Sequence, residues 1–129
     1  MQKEVYEMNV GHKITETEKS VMDVLWEHSD AVATRDLLEM MKEKGKDWKR
    51  QTLNTLLFRL EEKGIVSRTR AYVKPGMTRE ALLQVQTQEI LDNFYDGKAG
   101  NFFAALVGAK VTAEDMGRLE ALLEEIRNS

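Results

Sequence analysis

Cysteine is absent from the 129-residue chain. Disulfides, thiolate metal sites and a cysteine nucleophile are therefore excluded. Histidine occurs only as His12 and His28, one in the N-terminal region and one at a helix end, without ligand spacing. No glycine-rich phosphate loop is present, because "GKAGNF" lacks the P-loop lysine and hydroxyl in register. The acidic pairs Glu61–Glu62 and Glu124–Glu125 fall on solvated helix faces. Nothing here meets the requirements of a catalytic site, so neither an enzyme nor a metal site nor a cofactor is expected. No stretch of about 18 apolar residues occurs, which argues against membrane insertion. The start, "MQKEVYEMNVGHKITE", has no apolar signal core. A cytoplasmic protein, built as one compact domain or two small lobes, fits these exclusions.

Charge is unevenly spread behind a net value of −3. From position 46 to 74 the bases Lys46, Lys49, Arg50, Arg59, Lys63, Arg68, Arg70 and Lys74 face only Asp47, Glu61 and Glu62. Beyond Gly76 the acids dominate, nine to five. A basic patch on an acidic chain points to a polyanionic partner, although exposed charge runs are also common on plain solvated helices.

Residues 1–13 read as a loose N-terminal arm. Thr15 and Glu18 are spaced for a capping box. The helix they open runs to about His28 and buries Val21, Met22, Leu25 and Trp26. "SDAVA" breaks the chain. Thr34 is the expected cap of a second helix, which carries Leu37, Leu38 and Met41 and ends at Gly45. A third helix spans about Lys49 to Lys63 and stops at Gly64, with Leu53, Leu56, Leu57 and Leu60 as its apolar stripe. "IVSRTRAYVKPG" predicts two short strands around a tight turn near Thr69 and Arg70, closed by Pro75 and Gly76. Thr78 caps a further helix. Gly97 and Gly100 interrupt the chain, a short apolar helix follows, and Thr112 caps the last one.

Three helices followed by a hairpin is the order of a winged helix. The fold class is thus mainly α: a winged helix-turn-helix DNA-binding lobe, residues 14–75, then a helical dimerisation lobe, residues 76–129. The third helix would be the recognition helix. Opposite its leucine stripe point Gln51, Thr55 and Phe58, flanked by Asn54 and Arg59. These groups suit base edges and thymine methyls in a major groove. An exposed Phe58 equally fits the ordinary run of single apolar surface residues. Lys49, Arg50 and Arg59 are placed mainly for phosphates, though an arginine can also read guanine; Thr52, nearer the core boundary, suits a phosphate or a neighbouring helix. Arg68 and Arg70 put charge on the hairpin.

Residues beyond Gly76 number only about fifty, too few to close an efficient core alone. They nevertheless carry Leu83, Ile90, Leu91, Phe94, Phe102, Phe103, Leu106, Val107, Leu119, Leu122, Leu123 and Ile126. A symmetric partner would cover such a surface with the same patch on both subunits. The alternative is that these helices fold back on the DNA-binding lobe.

The chain resembles the penicillinase-repressor family (BlaI/MecI/CopY type). The likeness begins at "ITETEKSVMDVLW", through Ile14, Thr15, Glu18, Val21, Met22, Leu25 and Trp26. It continues in "DWKRQTLNTLLFRLEEKG", where Trp48, Thr52, Thr55, Leu56, Arg59, Leu60, Lys63 and Gly64 keep the family's spacing, and in "AYVKPGMTREALL". The resemblance implies a homodimeric transcriptional repressor on double-stranded, inverted-repeat operator DNA. It also implies relief of repression by a sensor-linked protease that cuts the C-terminal lobe. Three departures stand out. Lys49 and Arg50 replace the frequent Ser and Pro of the cap region, the wing is short, and the cysteines of the metal-sensing branch are missing. The family's scissile Asn-Phe pair occurs here as Asn101-Phe102, several residues early. The alternative reading is a winged-helix protein-interaction module without specific DNA binding, since fold does not fix function.

Overall fold

A computed structural model describes residues 11–129, so most of the expected N-terminal arm, residues 1–10, lies outside the described residues. Six helices and three short strands follow one another among the described residues. They are α1 (Glu16–Leu25), β1 (Val32–Ala33), α2 (Thr34–Glu43), α3 (Arg50–Glu62), β2 (Val66–Thr69), β3 (Tyr72–Pro75), α4 (Arg79–Phe94), α5 (Ala99–Val107) and α6 (Ala113–Arg127). The strands form an antiparallel sheet in the order β1-β3-β2. This is a winged helix followed by a helical segment. The chain forms two compact units, one ending at Glu89 and one starting at Ile90.

The first unit begins with the expected capping box. Thr15 Oγ1 accepts from the Glu18 N–H at 3.0 Å, and Glu18 Oε1 accepts from the Thr15 N–H at 2.9 Å. The helix is shorter than expected. Trp26 caps α1, and the chain then tightens through bonds from the Glu27 and His28 N–H groups to the carbonyls of Val24 and Leu25. The buried stripe holds Val21, Met22, Val24 and Leu25, with Trp26 half-buried beside it. The Trp26 indole instead donates to the Met77 carbonyl at 3.1 Å, and the Arg79 guanidinium covers its ring at 4.7 Å.

Within the "SDAVA" break lies a strand the sequence did not announce. Val32 pairs with Val73 and Ala33 with Tyr72. Two residues carry no periodicity of their own, so only the distant partner makes them a strand. The pairing also corrects the cap of α2. Ala33 is the N-cap, and Thr34 is already helical, sending its N–H and its hydroxyl to the Ala71 carbonyl at 2.8 and 3.1 Å.

The end of α3 is built as a Schellman turn. Gly64 has φ +75°, its N–H bonds the Glu61 carbonyl, and the Ile65 N–H reaches back to Leu60 at 3.0 Å. Ile65 and Leu60 are both fully buried, supplying the apolar contact of that motif. The β2–β3 pair is in register from Val66↔Pro75 to Thr69↔Tyr72, so Arg70 and Ala71 form the connection, one residue later than expected. Gly76 closes the hairpin against the end of α3. A Cβ there would meet the Gly64 carbonyl at 2.7 Å.

The core joins the leucine stripe of α3 to Val21, Met22, Leu25, Leu37, Met41, Ile65, Val66 and Val73. Leu82 of α4 belongs to it as well, at 2% exposure. Hence the first unit extends past the hairpin: Glu89 accepts from the His12 N–H at 3.0 Å and the Gln86 amide donates to the His12 carbonyl at 2.8 Å.

The second unit contains no fully buried residue. Tyr95, Phe102 and Phe103 meet edge to face, with centroids 5.4 and 5.9 Å apart. Gly97 interrupts the chain with φ +70°, whereas Gly100 sits inside the first turn of α5 rather than in a break. Thr112 caps α6 through the Asp115 N–H at 3.1 Å. Among the described residues no helix is long and apolar enough to cross a membrane.

One acid in the first unit is buried, Glu18 at 1% exposure, and it faces Lys63 Nζ at 3.2 Å. Breaking a buried pair leaves the partner charge uncompensated, and Lys63 retains only slight access to water. Glu18→Ala is expected to lower stability by about 2–4 kcal/mol, discounted for that access. Glu18→Gln should cost less, because its amide oxygen still accepts the Thr15 N–H. Urea unfolding midpoints of the two variants check the order.

Candidate nucleic-acid interface

Local sequence leaves the start of α3 strongly positive. Lys49 is the N-cap and makes no side-chain capping bond, and the first turn holds no acid. The unsatisfied N–H groups and the positive end of the helix dipole therefore stand beside two exposed cations, Lys49 and Arg50. An anion such as a phosphate is suited to that position.

The outer face is arranged as the helical spacing demands. Leu53, Leu56, Leu57 and Leu60 are buried; Gln51, Thr52, Thr55, Phe58 and Arg59 are exposed, and Asn54 is half-buried. Arg50, Gln51, Asn54, Thr55 and Phe58 line one shallow, solvent-open depression. Arg59 lies outside it, and Thr52 is exposed rather than at the core boundary.

Two internal bonds limit what this face offers. The Thr55 hydroxyl donates to the Gln51 carbonyl at 3.0 Å, spending its only proton within the helix. Arg68 Nη2 donates to Asn54 Oδ1 at 3.3 Å, which ties the first hairpin strand to α3. Fourteen residues separate that pair, and only the fold-back of the hairpin brings them together. Arg70 is exposed at the hairpin tip with φ +58°.

Lys63 is not part of this surface, although it counts toward the basic stretch. It donates to Glu18 Oε1 and Oε2 at 3.2 Å and to the Lys13 carbonyl at 2.9 Å. The remaining cations of the patch are exposed or half-buried.

Apolar side chains are exposed in both units. Leu83, Ile90, Phe94, Leu122, Leu123 and Ile126 are exposed, Phe94 by 77% and Ile126 by 70%. Leu91, Phe102, Phe103, Leu106 and Leu119 are half-buried. A single chain leaves all of them in part open to water. Among the described residues no three His, Asp or Glu side chains group to hold a metal ion.

Helix-turn-helix, hairpin and third strand together define a winged-helix protein. The family described as penicillinase repressor matches residues 14–125, so the chain belongs to that family. It is 27% identical over 121 residues to the penicillinase repressor of Bacillus licheniformis, covering 90% of this chain and 93% of that one. It is 28% identical over 123 residues to the methicillin resistance regulatory protein MecI of Staphylococcus aureus (strain N315), covering 93% and 94%.

Arg70 holds a left-handed backbone conformation that costs a side-chain-bearing residue about 1–2 kcal/mol. Glycine avoids that cost but loses more backbone freedom on folding, by about 0.5–1 kcal/mol. Arg70→Gly is therefore expected to leave stability unchanged or raise it by up to about 1 kcal/mol, and Arg70→Val to lower it. Thermal unfolding of both variants tests the turn assignment.

Proposed function

We propose that this protein is a homodimeric transcriptional repressor that binds an inverted-repeat operator through α3. One observation carries the reading: the uncapped, acid-free start of α3, with Lys49 and Arg50 beside it and Gln51, Asn54 and Thr55 facing outward. Family membership and relatives named as a repressor and a resistance regulator support it. Residues 14–75 serve DNA binding and residues 76–129 dimerisation, the start of α4 also bracing the first unit through Leu82. The proposed place of work is the cytoplasm.

Within the interface the roles divide. Lys49, Arg50 and Arg59 hold phosphates, with Thr52 beside them. Arg68 and Arg70 bring the hairpin to the backbone, and Arg68 also steadies Asn54. Gln51, Asn54 and Thr55 choose bases. Lys49→Ala should weaken binding to all duplexes alike and flatten the slope of log affinity against log salt by about 0.9. Gln51→Ala should relax preference at one or two positions, at about 1–3 kcal/mol per lost base contact. Fluorescence anisotropy across a salt series measures both. A protein-interaction module would show no salt-sensitive DNA binding at all.

Dimerisation is proposed through Leu83, Ile90, Leu91, Phe94, Phe102, Phe103, Leu106, Leu119, Leu122, Leu123 and Ile126. Its support is that these side chains stand exposed or half-buried, Leu83 in the first unit and the others in the second. Two linked reading heads gain affinity because the second contact becomes intramolecular, commonly by 10²–10⁴-fold. Relief of repression would follow from cleavage in the second unit by a sensor-linked protease. Asn101-Phe102 is one candidate bond, and a cut there detaches Phe102 from Tyr95. Leu82 fills the core of the first unit, so a chain ending at Glu89 retains that core. Such a chain is expected to be folded, monomeric in sedimentation and about 10²–10⁴-fold weaker on the operator. Dimers of that chain, or full affinity, would contradict the proposal.

A further inference from the structure

Phe58 is the large apolar side chain on the outer face of α3, and it is 56% exposed. It follows Gln51 by seven residues and Thr55 by three. At about 100° per residue the three fall within about 60° of arc. They share one depression with Arg50 and Asn54. The neighbours of the ring are therefore an arginine, two amides and a threonine, not other apolar side chains. A purely hydrophobic protein partner would meet these polar side chains around the ring, whereas the exposed Lys49, Arg50 and Arg59 complement a polyanion.

Hydrogen bonding on this stretch is already partly committed, through the Thr55 hydroxyl and the Asn54 oxygen. A phenyl ring adds no donor or acceptor. Among the four bases only thymine shows a methyl group in the major groove. We infer that Phe58 is a specificity-determining residue that reads the C5 methyl of one thymine in each half-site. The inference rests on the DNA-binding reading above. Phe58 stands about 10.5 Å along the helix from Gln51, close to three base-pair steps. The thymine is thus expected about two to three base pairs from the position that Gln51→Ala relaxes.

The test uses the full chain and the duplex it enriches in a site-selection experiment. Each thymine is replaced in turn by uracil, which removes only the methyl, and affinity is measured for the native chain, Phe58→Ala, Phe58→Leu and Thr55→Ser. One substitution per half-site should weaken the native chain roughly three- to tenfold, the scale of one buried methyl group. That loss should vanish in Phe58→Ala, persist in part in Phe58→Leu and remain in Thr55→Ser. A uracil effect that survives in Phe58→Ala assigns the methyl to another residue and overturns the inference. If no uracil substitution matters while salt-sensitive operator binding persists, the inference fails and the DNA-binding reading stands. If no duplex is bound in a salt-sensitive way, both fail.

Discussion

The pairing of Glu18 with Lys63 ties the start of α1 to the end of α3. Glu18 is almost wholly buried and takes two kinds of hydrogen bond: the Thr15 N–H completes the capping box of α1, and the Lys63 ammonium reaches it from the C-cap of α3. A buried ion pair stabilises little compared with well-packed apolar groups of similar size, because both charges give up water. The start of one helix is fixed to the end of another, and Lys63 adds a third tie to the Lys13 carbonyl. Directly after Lys63 the Schellman turn at Gly64 sends the chain into β2. The placement of Arg68 beside Asn54 therefore follows from the same anchor.

Two surfaces of opposite character result. The first unit closes its own core, down to Leu82, and leaves outside a helix face of amides, hydroxyls, guanidinium groups and one ring. The second unit buries nothing completely and leaves leucine, isoleucine and phenylalanine exposed. A chain with one closed and one open unit suits a division between reading and assembly. On the proposed reading, a cut in the open unit weakens operator binding while the core of the first unit stays intact.

Local features were legible in the sequence. Thr15 and Glu18 are three apart, so their box needs no partner elsewhere. Gly64 marks a helix end because its left-handed backbone disfavours other residues. The leucine stripe of α3 reads from its spacing alone. Non-local features were not legible. Val32 and Ala33 become a strand only through Val73 and Tyr72, and that pairing moved the α2 cap from Thr34 to Ala33. Lys63 reads as surface charge until Glu18 is placed beneath it. In α4 the spacing singles out Leu83 and passes over Leu82, and only the packed fold shows that Leu82 goes inside. At the interface the outward set of α3 follows from periodicity, but the bonds that tie Asn54 and Thr55 do not.

In the proposed complex, two copies of α3 lie in major grooves on one face of the operator. Dimethyl sulfate probing of the complex tests it directly, because the reagent marks guanine N7 in the major groove and adenine N3 in the minor groove. The expected result is two blocks of protected guanine N7 whose centres are about 10 base pairs apart or a multiple of that. A single protected block per bound protein, or protection confined to adenine N3, would contradict the account.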